Sequence, residues 1–200
     1  MKRNETLRLV LAGLLAALGV ILPKFILMLP LQGIVSVLVP GGKIGEILLP
    51  MHLPILLCGF LCGARYGAIC GFIVPFLAHF FNGMPVLYPS AISMAFELAS
   101  YGIVSGLLIA KAKKVPLLIS LLLTMLSGRI VMGIANIILY GLKGNSYGIA
   151  AYFGSAFLRT WPGILLQLIL VPILVGAIQK IHLLERTETI MKKQISQSNG

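Results

Sequence analysis

Aspartate is absent from this 200-residue chain, and only five residues are acidic. Charged residues of both signs make up 10% of the sequence, and there is a single tryptophan. A typical soluble domain carries about 25% charged residues. The scarcity of charge therefore excludes an ordinary soluble globular domain.

Common signatures of catalysis and nucleotide binding are also missing. The chain has no Walker-type phosphate loop, no Gly-x-Ser-x-Gly and no His-Glu-x-x-His. Its three cysteines, Cys58, Cys62 and Cys70, have no histidine or aspartate at metal-ligand spacing, so we predict buried packing residues, with no disulfide framework and no metal. We expect no cofactor and no enzyme activity, and any active transport must take its energy from other subunits or from a gradient.

Long apolar runs are what the chain has in abundance. Hydrophobic residues make up 58% of it, and the mean hydropathy is +1.02. A helix of roughly 20 apolar residues crosses the ~30 Å hydrocarbon core of a bilayer. We predict such helices at residues 7–23, 46–63, 66–82, 89–110, 115–140 and 154–180. The predicted fold class is an all-α integral membrane protein with six transmembrane helices, in which residues 1–188 form a single membrane domain and residues 189–200 a polar cytoplasmic tail.

Lysine and arginine gather on one side of this six-helix layout. The opposite loops hold only Lys24, Lys43 and Lys143. Because cytoplasmic loops carry an excess of basic residues, both termini are predicted to be cytoplasmic. The net charge of +11 is then a signal of topology, with the lipid bilayer as its partner and no nucleic acid.

Two ionisable residues interrupt the apolar helices at similar depth. At about 1.5 Å per helical residue, Glu97 lies roughly 13 Å below the external end of the fourth helix and Arg129 roughly 16 Å below that of the fifth. An ionisable group at such depth is costly, which makes a functional site the default interpretation. The alternative is a structural pair in which each side chain neutralises the other.

Further polar residues fall in the same external half of the layout. They are His52, His79, Asn82, Asn136 and Arg159. His52 lies between Pro50 and Pro54, which free backbone groups and are predicted to make the second helix irregular. Polar groups that share one leaflet across several helices predict a water-accessible pocket open to the outside, whereas an ion pathway would place them along the full depth. The same residues could instead be interfacial, as Arg159 beside Trp161 would be in an aromatic belt.

Small residues recur at a spacing of four in the first helix. Ala12 is followed by Ala16, and Gly13 by Ala17. Such ridges let helices approach closely. They predict either packing within the protein or docking onto another membrane protein.

Several short motifs, taken in order along the chain, resemble the substrate-binding S components of energy-coupling factor (ECF) transporters, the vitamin importers of bacteria. The resemblance covers essentially the whole chain. It rests on residues 49–54 (Leu-Pro-Met-His-Leu-Pro) with Gly59 and Gly63, on residues 83–85 (Gly-Met-Pro), on residues 94–102 (Met-Ala-Phe-Glu-Leu-Ala-Ser-Tyr-Gly), on Gly128-Arg129 and on the Ala12-x-x-x-Ala16 pattern.

The resemblance implies a multi-pass protein of the bacterial cell membrane that binds a vitamin from outside. Its implied partners are a membrane-embedded coupling subunit and two ATPase subunits, as in ABC importers. In such proteins the small-residue face of the first helix meets the coupling subunit, which corresponds here to Ala12 and Ala16. The external loops line and cover the binding site.

The identity of the ligand is the least constrained expectation. The chain looks most similar to the pantothenate-type members, and two candidate cations, Arg129 and Arg159, suit a carboxylate. Pyridoxine, a hydroxymethylpyrimidine compound, cobalamin or folate stay open, as does a solitary channel or secondary carrier. An intramembrane enzyme would use His52 or His79 with Glu97 as the base, and only Ser93 or Ser127 could serve as its nucleophile.

Overall fold

The computed structural model describes residues 2–30, 33, 37, 39–40, 44–111, 115–144, 147–148 and 152–198. Throughout these residues the regular structure is helical, without strands. The predicted all-α class is therefore confirmed. The helices, numbered here in chain order, are α1 (Lys2–Met28), α2 (Ile44–Leu48), α3 (His52–Cys62), α4 (Ala64–Asn82), α5 (Ile92–Lys111), α6 (Leu117–Leu142) and α7 (Trp161–Ser198).

Five of the described helices are long and apolar enough to cross a membrane. The candidate spans are Glu5–Met28, Ala64–Asn82, Leu87–Ala110, Leu117–Leu142 and Trp161–Ile178, and α3 is a shorter apolar helix. These spans confirm a multi-pass membrane protein. The exact number of six crossings and the cytoplasmic side of the termini stay predictions.

The predicted second helix, residues 46–63, is wrong as a continuous element. It is divided into α2 and α3 by a break at residues 49–51. Pro50 has no N–H to continue a helical ladder, and Leu49 adopts a φ of 50°, in the left-handed region. The chain therefore turns sharply just before His52.

Other predicted ends also differ from the structure. The first helix, predicted to end at residue 23, continues to Met28 with Pro23 inside it, since neighbouring helices can satisfy the backbone group that a proline frees in a membrane helix. The last helix begins at Trp161, after a π-type turn at Gly154–Leu158, and continues to Ser198 through most of the predicted tail. Parts of the segments between the first and second predicted helices and between the fifth and sixth lie outside the described residues.

Tight glycine contacts bring α4 and α5 together in the centre of the molecule. A Cβ atom on Gly67 would lie 2.8 Å from the Cα atom of Gly102. No larger residue fits at this crossing without moving a helix backbone. The helix that carries Glu97 is thus fixed directly against α4.

The three cysteines lie in the hydrophobic core, as predicted. Cys58, Cys62 and Cys70 are buried and form no disulfide. The Cys70 thiol donates a hydrogen bond to the carbonyl oxygen of Ala12, with the sulfur 3.6 Å from the oxygen. This contact joins α4 to α1.

The polar side chains that were singled out in the sequence cluster towards one end of the helices, which we call the pocket end. Helices α1, α4 and α6 end there, and α3, α5 and α7 begin there. A second π-type turn, Leu87–Ala91, lies at this end before α5, and within it Tyr88 has extended backbone angles. The pocket end is therefore formed by helix termini and turns, which can present polar groups to a cavity.

Candidate functional site

A cavity of about 580 Å³ opens at the pocket end. Its wall includes residues from the end of α1, from the break between α2 and α3, from the start of α5 and from the half of α6 nearest the pocket end. Most of its lining residues are apolar, with a few polar groups among them. This composition is typical of a small-molecule site.

Glu97 and Arg129 meet in the wall of this cavity. Nη1 of Arg129 lies 3.1 Å from Oε1 of Glu97, and the two side chains are 3% and 1% exposed. Tyr101, one turn after Glu97, donates a hydrogen bond of 2.9 Å to the same carboxylate oxygen. The sequence placed these two residues at a similar depth, and in the structure they form an ion pair.

His52 is the first residue of α3 and faces the other oxygen of that carboxylate. Its Nε2 atom lies 3.5 Å from Oε2 of Glu97, and its ring tilts against that of Tyr101 at a centroid distance of 5.6 Å. Within the described chain, neither ring nitrogen makes a hydrogen bond. His52 is buried and lines the cavity, so its Nδ1 atom is available to a molecule inside it, while Nε2 faces the Glu97 carboxylate.

The protein itself occupies most of the guanidinium of Arg129. Its Nη2 atom donates to the hydroxyl of Thr160 at 3.4 Å, and its Nη1 atom lies 3.9 Å from the sulfur of Met132. Among the described residues, its Nε atom has no hydrogen-bond partner. Arg129 is consequently a neutralised and oriented cation, whose Nε–H group can still donate to another acceptor.

Asn136 and Arg159 lie farther towards the mouth of the cavity. The amide of Asn136 donates to the hydroxyl of Tyr147 at 3.5 Å, and the ring of Tyr147 stacks on Tyr140 with centroids 5.0 Å apart. Arg159 is exposed and lines the cavity. The described side chains place no carboxylate within ion-pair distance of Arg159.

His79 and Asn82, by contrast, are used in contacts between segments. Nδ1 of His79 donates to the carbonyl of Pro85 at 2.9 Å, and the amide of Asn82 donates to the carbonyl of Val20 at 2.8 Å. Neither belongs to the residues that line the cavity. The structure therefore does not place these two residues with His52, Glu97, Arg129, Asn136 and Arg159.

The small residues of α1 divide into two sets. Ala12 is 3% exposed and Ala16 is half-buried against the core, whereas Gly13 and Ala17 are exposed. A Cβ atom on Gly13 would meet nothing within 4 Å. The pair named from the ridge, Ala12 and Ala16, packs inside the protein, and the outward members are Gly13 and Ala17.

Sequence reasoning missed three residues of the site. Tyr101 holds the Glu97 carboxylate, Thr160 holds Arg129, and Tyr147 contacts Asn136. The spacing of four between Glu97 and Tyr101 places both on one helix face, so this partner could have been found. Thr160 and Tyr147 come from distant segments, and their approach depends on the fold.

Residues 7–175 match the model of the family described as "ECF transporter, substrate-specific component". The chain belongs to this family. No curated protein and no solved structure matches it.

Members of the ECF substrate-specific component family are substrate-binding subunits of transporters, not enzymes. Their family implies a small-molecule substrate, a membrane coupling subunit and ATPases. The cavity with its buried polar wall is therefore the candidate substrate site of this S component. No group of three or more histidine, cysteine or acidic side chains among the described residues is placed to hold a metal.

Proposed function

We propose that this S component captures pantothenate from outside a bacterial cell and delivers it through a shared coupling subunit and two ATPases. The observation that carries the proposal is the cavity of about 580 Å³, with the paired Glu97 and Arg129 in its wall and, beside them, His52, whose Nδ1 atom has no hydrogen-bond partner among the described residues. A buried polar group without a partner costs free energy. A bound ligand with hydrogen-bonding groups would remove that cost.

The charge of the cavity supports a ligand with one negative charge. Glu97 and Arg129 cancel each other, since they form an ion pair. Arg159 then contributes a positive charge that no carboxylate of the described side chains balances. A single carboxylate, as in pantothenate, complements this balance.

The same contacts support one orientation of the ligand. Arg159 lies at the mouth, and no carboxylate among the described side chains is within ion-pair distance of it, so the ligand carboxylate would bind there through charge-assisted hydrogen bonds. The uncharged hydroxyl and amide groups would extend inward to His52 and Asn136. Arg129 would contribute an N–H group at Nε rather than a free charge.

The partner-facing surface in this proposal is the outward ridge of α1. Gly13 and Ala17 are exposed and small, and small residues allow two membrane helices to pack closely. Ala12 and Ala16 would support this ridge from within the bundle. The ridge lies on a different helix from Glu97 and Arg129, so docking and ligand binding can be tested separately.

Thermal stability of the purified chain in detergent, without partner subunits, tests the proposed function. A ligand that binds only the folded state raises the apparent Tm by mass action. The panel consists of pantothenate, its neutral alcohol pantothenol, pyridoxine, a hydroxymethylpyrimidine, folate and cobalamin. We expect stabilisation by pantothenate and a much weaker effect of pantothenol, which has no carboxylate.

The other outcomes separate the alternatives. Strong stabilisation by a different vitamin would retain the binding role and reject pantothenate. If no compound of the panel raises the Tm and the chain alone takes up substrate in proteoliposomes, the protein is a solitary secondary carrier. Equal stabilisation by pantothenate and pantothenol would reject the carboxylate site at Arg159.

A further inference from the structure

The break between α2 and α3 forms part of the cavity wall and has a strained backbone. Leu49, Pro50, Met51 and His52 all line the cavity. Leu49 has a φ of 50° although it is not a glycine. Residues with a side chain rarely adopt this region, and they persist there only when the surroundings hold them.

A buried glutamine from α7 reaches the centre of this break. Nε2 of Gln167 donates a hydrogen bond to the carbonyl oxygen of Leu49 at 3.4 Å. The same oxygen accepts the backbone N–H of His52 at 3.0 Å. Gln167 is 1% exposed and does not line the cavity, so its contact with the site is indirect.

One turn before Gln167, a glycine brings the α7 backbone close to the same segment. A Cβ atom on Gly163 would collide with the carbonyl oxygen of Ile47 and would lie 3.0 Å from the carbonyl carbon of Leu48. Residues four apart share one face of a helix. Gly163 and Gln167 thus present a continuous surface of α7 to the end of α2 and the break.

From these contacts we infer that Gln167 is a positioning residue for the substrate cavity. Its hydrogen bond holds Leu49 in the left-handed conformation that turns Met51 and His52 into the cavity wall, while Gly163 permits the close approach that the bond requires. The inference deepens the proposed function, because it rests on this cavity being the substrate site. It assigns a role in binding to α7 residues that the ligand does not touch.

Hydrogen–deuterium exchange of the full chain tests the contact between Gln167 and Leu49 without a ligand. In Gln167→Met the side chain keeps a similar length and loses its donor. We expect faster exchange confined to peptides from residues 44–57, with exchange unchanged across residues 64–111. Gly163→Ala should push α7 away from the same segment, because its Cβ atom would collide with the carbonyl oxygen of Ile47. It should produce the same local pattern of exchange.

Thr124→Val is the matched control. Thr124 is another buried polar residue of a membrane helix, and its hydroxyl donates to the carbonyl of Ser120 within the same helix at 2.7 Å. The substitution also removes one buried hydrogen bond, but away from the cavity. It should leave exchange in residues 44–57 as in the wild type.

Ligand binding gives the second readout, with pantothenate as the probe. We expect Gln167→Met to weaken pantothenate binding roughly tenfold, the loss that corresponds to one buried hydrogen bond, and Thr124→Val to leave it unchanged. A folded Gln167→Met protein with wild-type exchange in residues 44–57 would overturn the inference. So would faster exchange spread evenly over the molecule, or unchanged pantothenate affinity despite local loosening. If wild-type protein binds no pantothenate, the proposed function fails, and the exchange pattern alone decides whether Gln167 holds the break.

Discussion

Nη1 of Arg129 lies 3.1 Å from Oε1 of Glu97, and this ion pair joins α6 to α5 inside the membrane-spanning bundle. The pair satisfies both charges and adds to the wall of the cavity. Removal of one partner from a buried pair leaves an uncompensated charge, which costs about 3–5 kcal/mol. The pair therefore contributes to stability and to the binding site at once.

We first predict that Arg129→Ala abolishes ligand binding while the protein still inserts into the membrane. Glu97 would be left buried without its cation, so the unliganded protein should also lose about 3–5 kcal/mol of stability. Ligand-dependent shifts of Tm and the Tm of the unliganded variant measure the two effects. Unchanged affinity in a well-folded variant would contradict a role in binding.

The double substitution Glu97→Gln with Arg129→Gln separates these two effects. It removes both charges together, so no uncompensated charge remains. We expect the Tm to recover towards the wild-type value while binding stays weak. If binding recovers together with Tm, the pair acts only in stability.

A second prediction concerns the cation at the mouth. Arg159→Gln should lower the affinity for a carboxylate ligand about tenfold, because a charge-assisted hydrogen bond is lost. The affinity of the wild type should also fall with added salt, since exposed charges are screened. Arg65→Gln, which removes an exposed cation outside the cavity, is the control and should have no effect on affinity or on its salt dependence.

The third prediction tests the packing behind the Glu97 carboxylate. A Cβ atom on Gly128 would collide with the Tyr101 ring, so Gly128→Ala should push the ring away from Glu97 and destabilise the protein by about 1–3 kcal/mol. Gly176→Ala is the matched control, because a Cβ atom there meets nothing within 4 Å. A lower Tm for the first variant and an unchanged or higher Tm for the second is the expected result.

The fourth prediction addresses the outward ridge of α1. Gly13→Leu combined with Ala17→Leu should prevent assembly with the coupling subunit and stop uptake, yet leave ligand binding by the isolated chain unchanged. Gly176→Leu adds the same bulk to an exposed position on α7 and should assemble normally. Co-purification of the partner subunits and vesicle uptake measure the outcome, and normal uptake by the double variant would reject this docking surface.

Bulky replacements of Ala12 should behave differently from those of Gly13. Ala12 is almost fully buried and accepts a hydrogen bond from Cys70 through its carbonyl. Overpacking of such a position costs about 1–3 kcal/mol. Ala12→Leu is therefore expected to lower the Tm, which the outward substitutions should not do.

The sequence predicted the membrane helices and placed Glu97 and Arg129 at a similar depth, where they could meet, for a simple physical reason. Helical rise converts residue number into depth, and a buried ionisable group needs a partner at its own depth. These two constraints are local or nearly so. They placed His52, Glu97, Arg129 and Asn136 in the same half of the helices, but they left open whether Glu97 and Arg129 pair with each other or with a ligand.

The directions of single side chains could not be predicted in this way. His79 and Asn82 lie at a suitable depth, but their hydrogen bonds to Pro85 and Val20 direct them to backbone carbonyls. Ala12 and Gly13 are neighbours in the ridge pattern, yet only one of them faces outward. Rotation of a helix about its axis is set by its neighbours, and a pattern of small residues does not specify it.

The prolines on either side of His52 predicted an irregular second helix, but not the conformation at its break. Pro50 favours an interruption, but the left-handed conformation of Leu49 depends on its surroundings, among them Gln167, more than a hundred positions later in the chain. Only the assembled fold brings that glutamine to the break.

The burial of all three native thiols makes the unaltered chain a silent background for cysteine labelling. Cys58 and Cys62 are 0% and 2% exposed, and Cys70 is 9% exposed, so a water-soluble maleimide should react slowly with the folded wild type. One reporter cysteine at exposed Leu142, at the pocket end, and another at exposed Arg65, at the other end, can then be compared in intact cells. The reporter that a membrane-impermeant reagent labels identifies the end of the molecule that faces the outside of the cell.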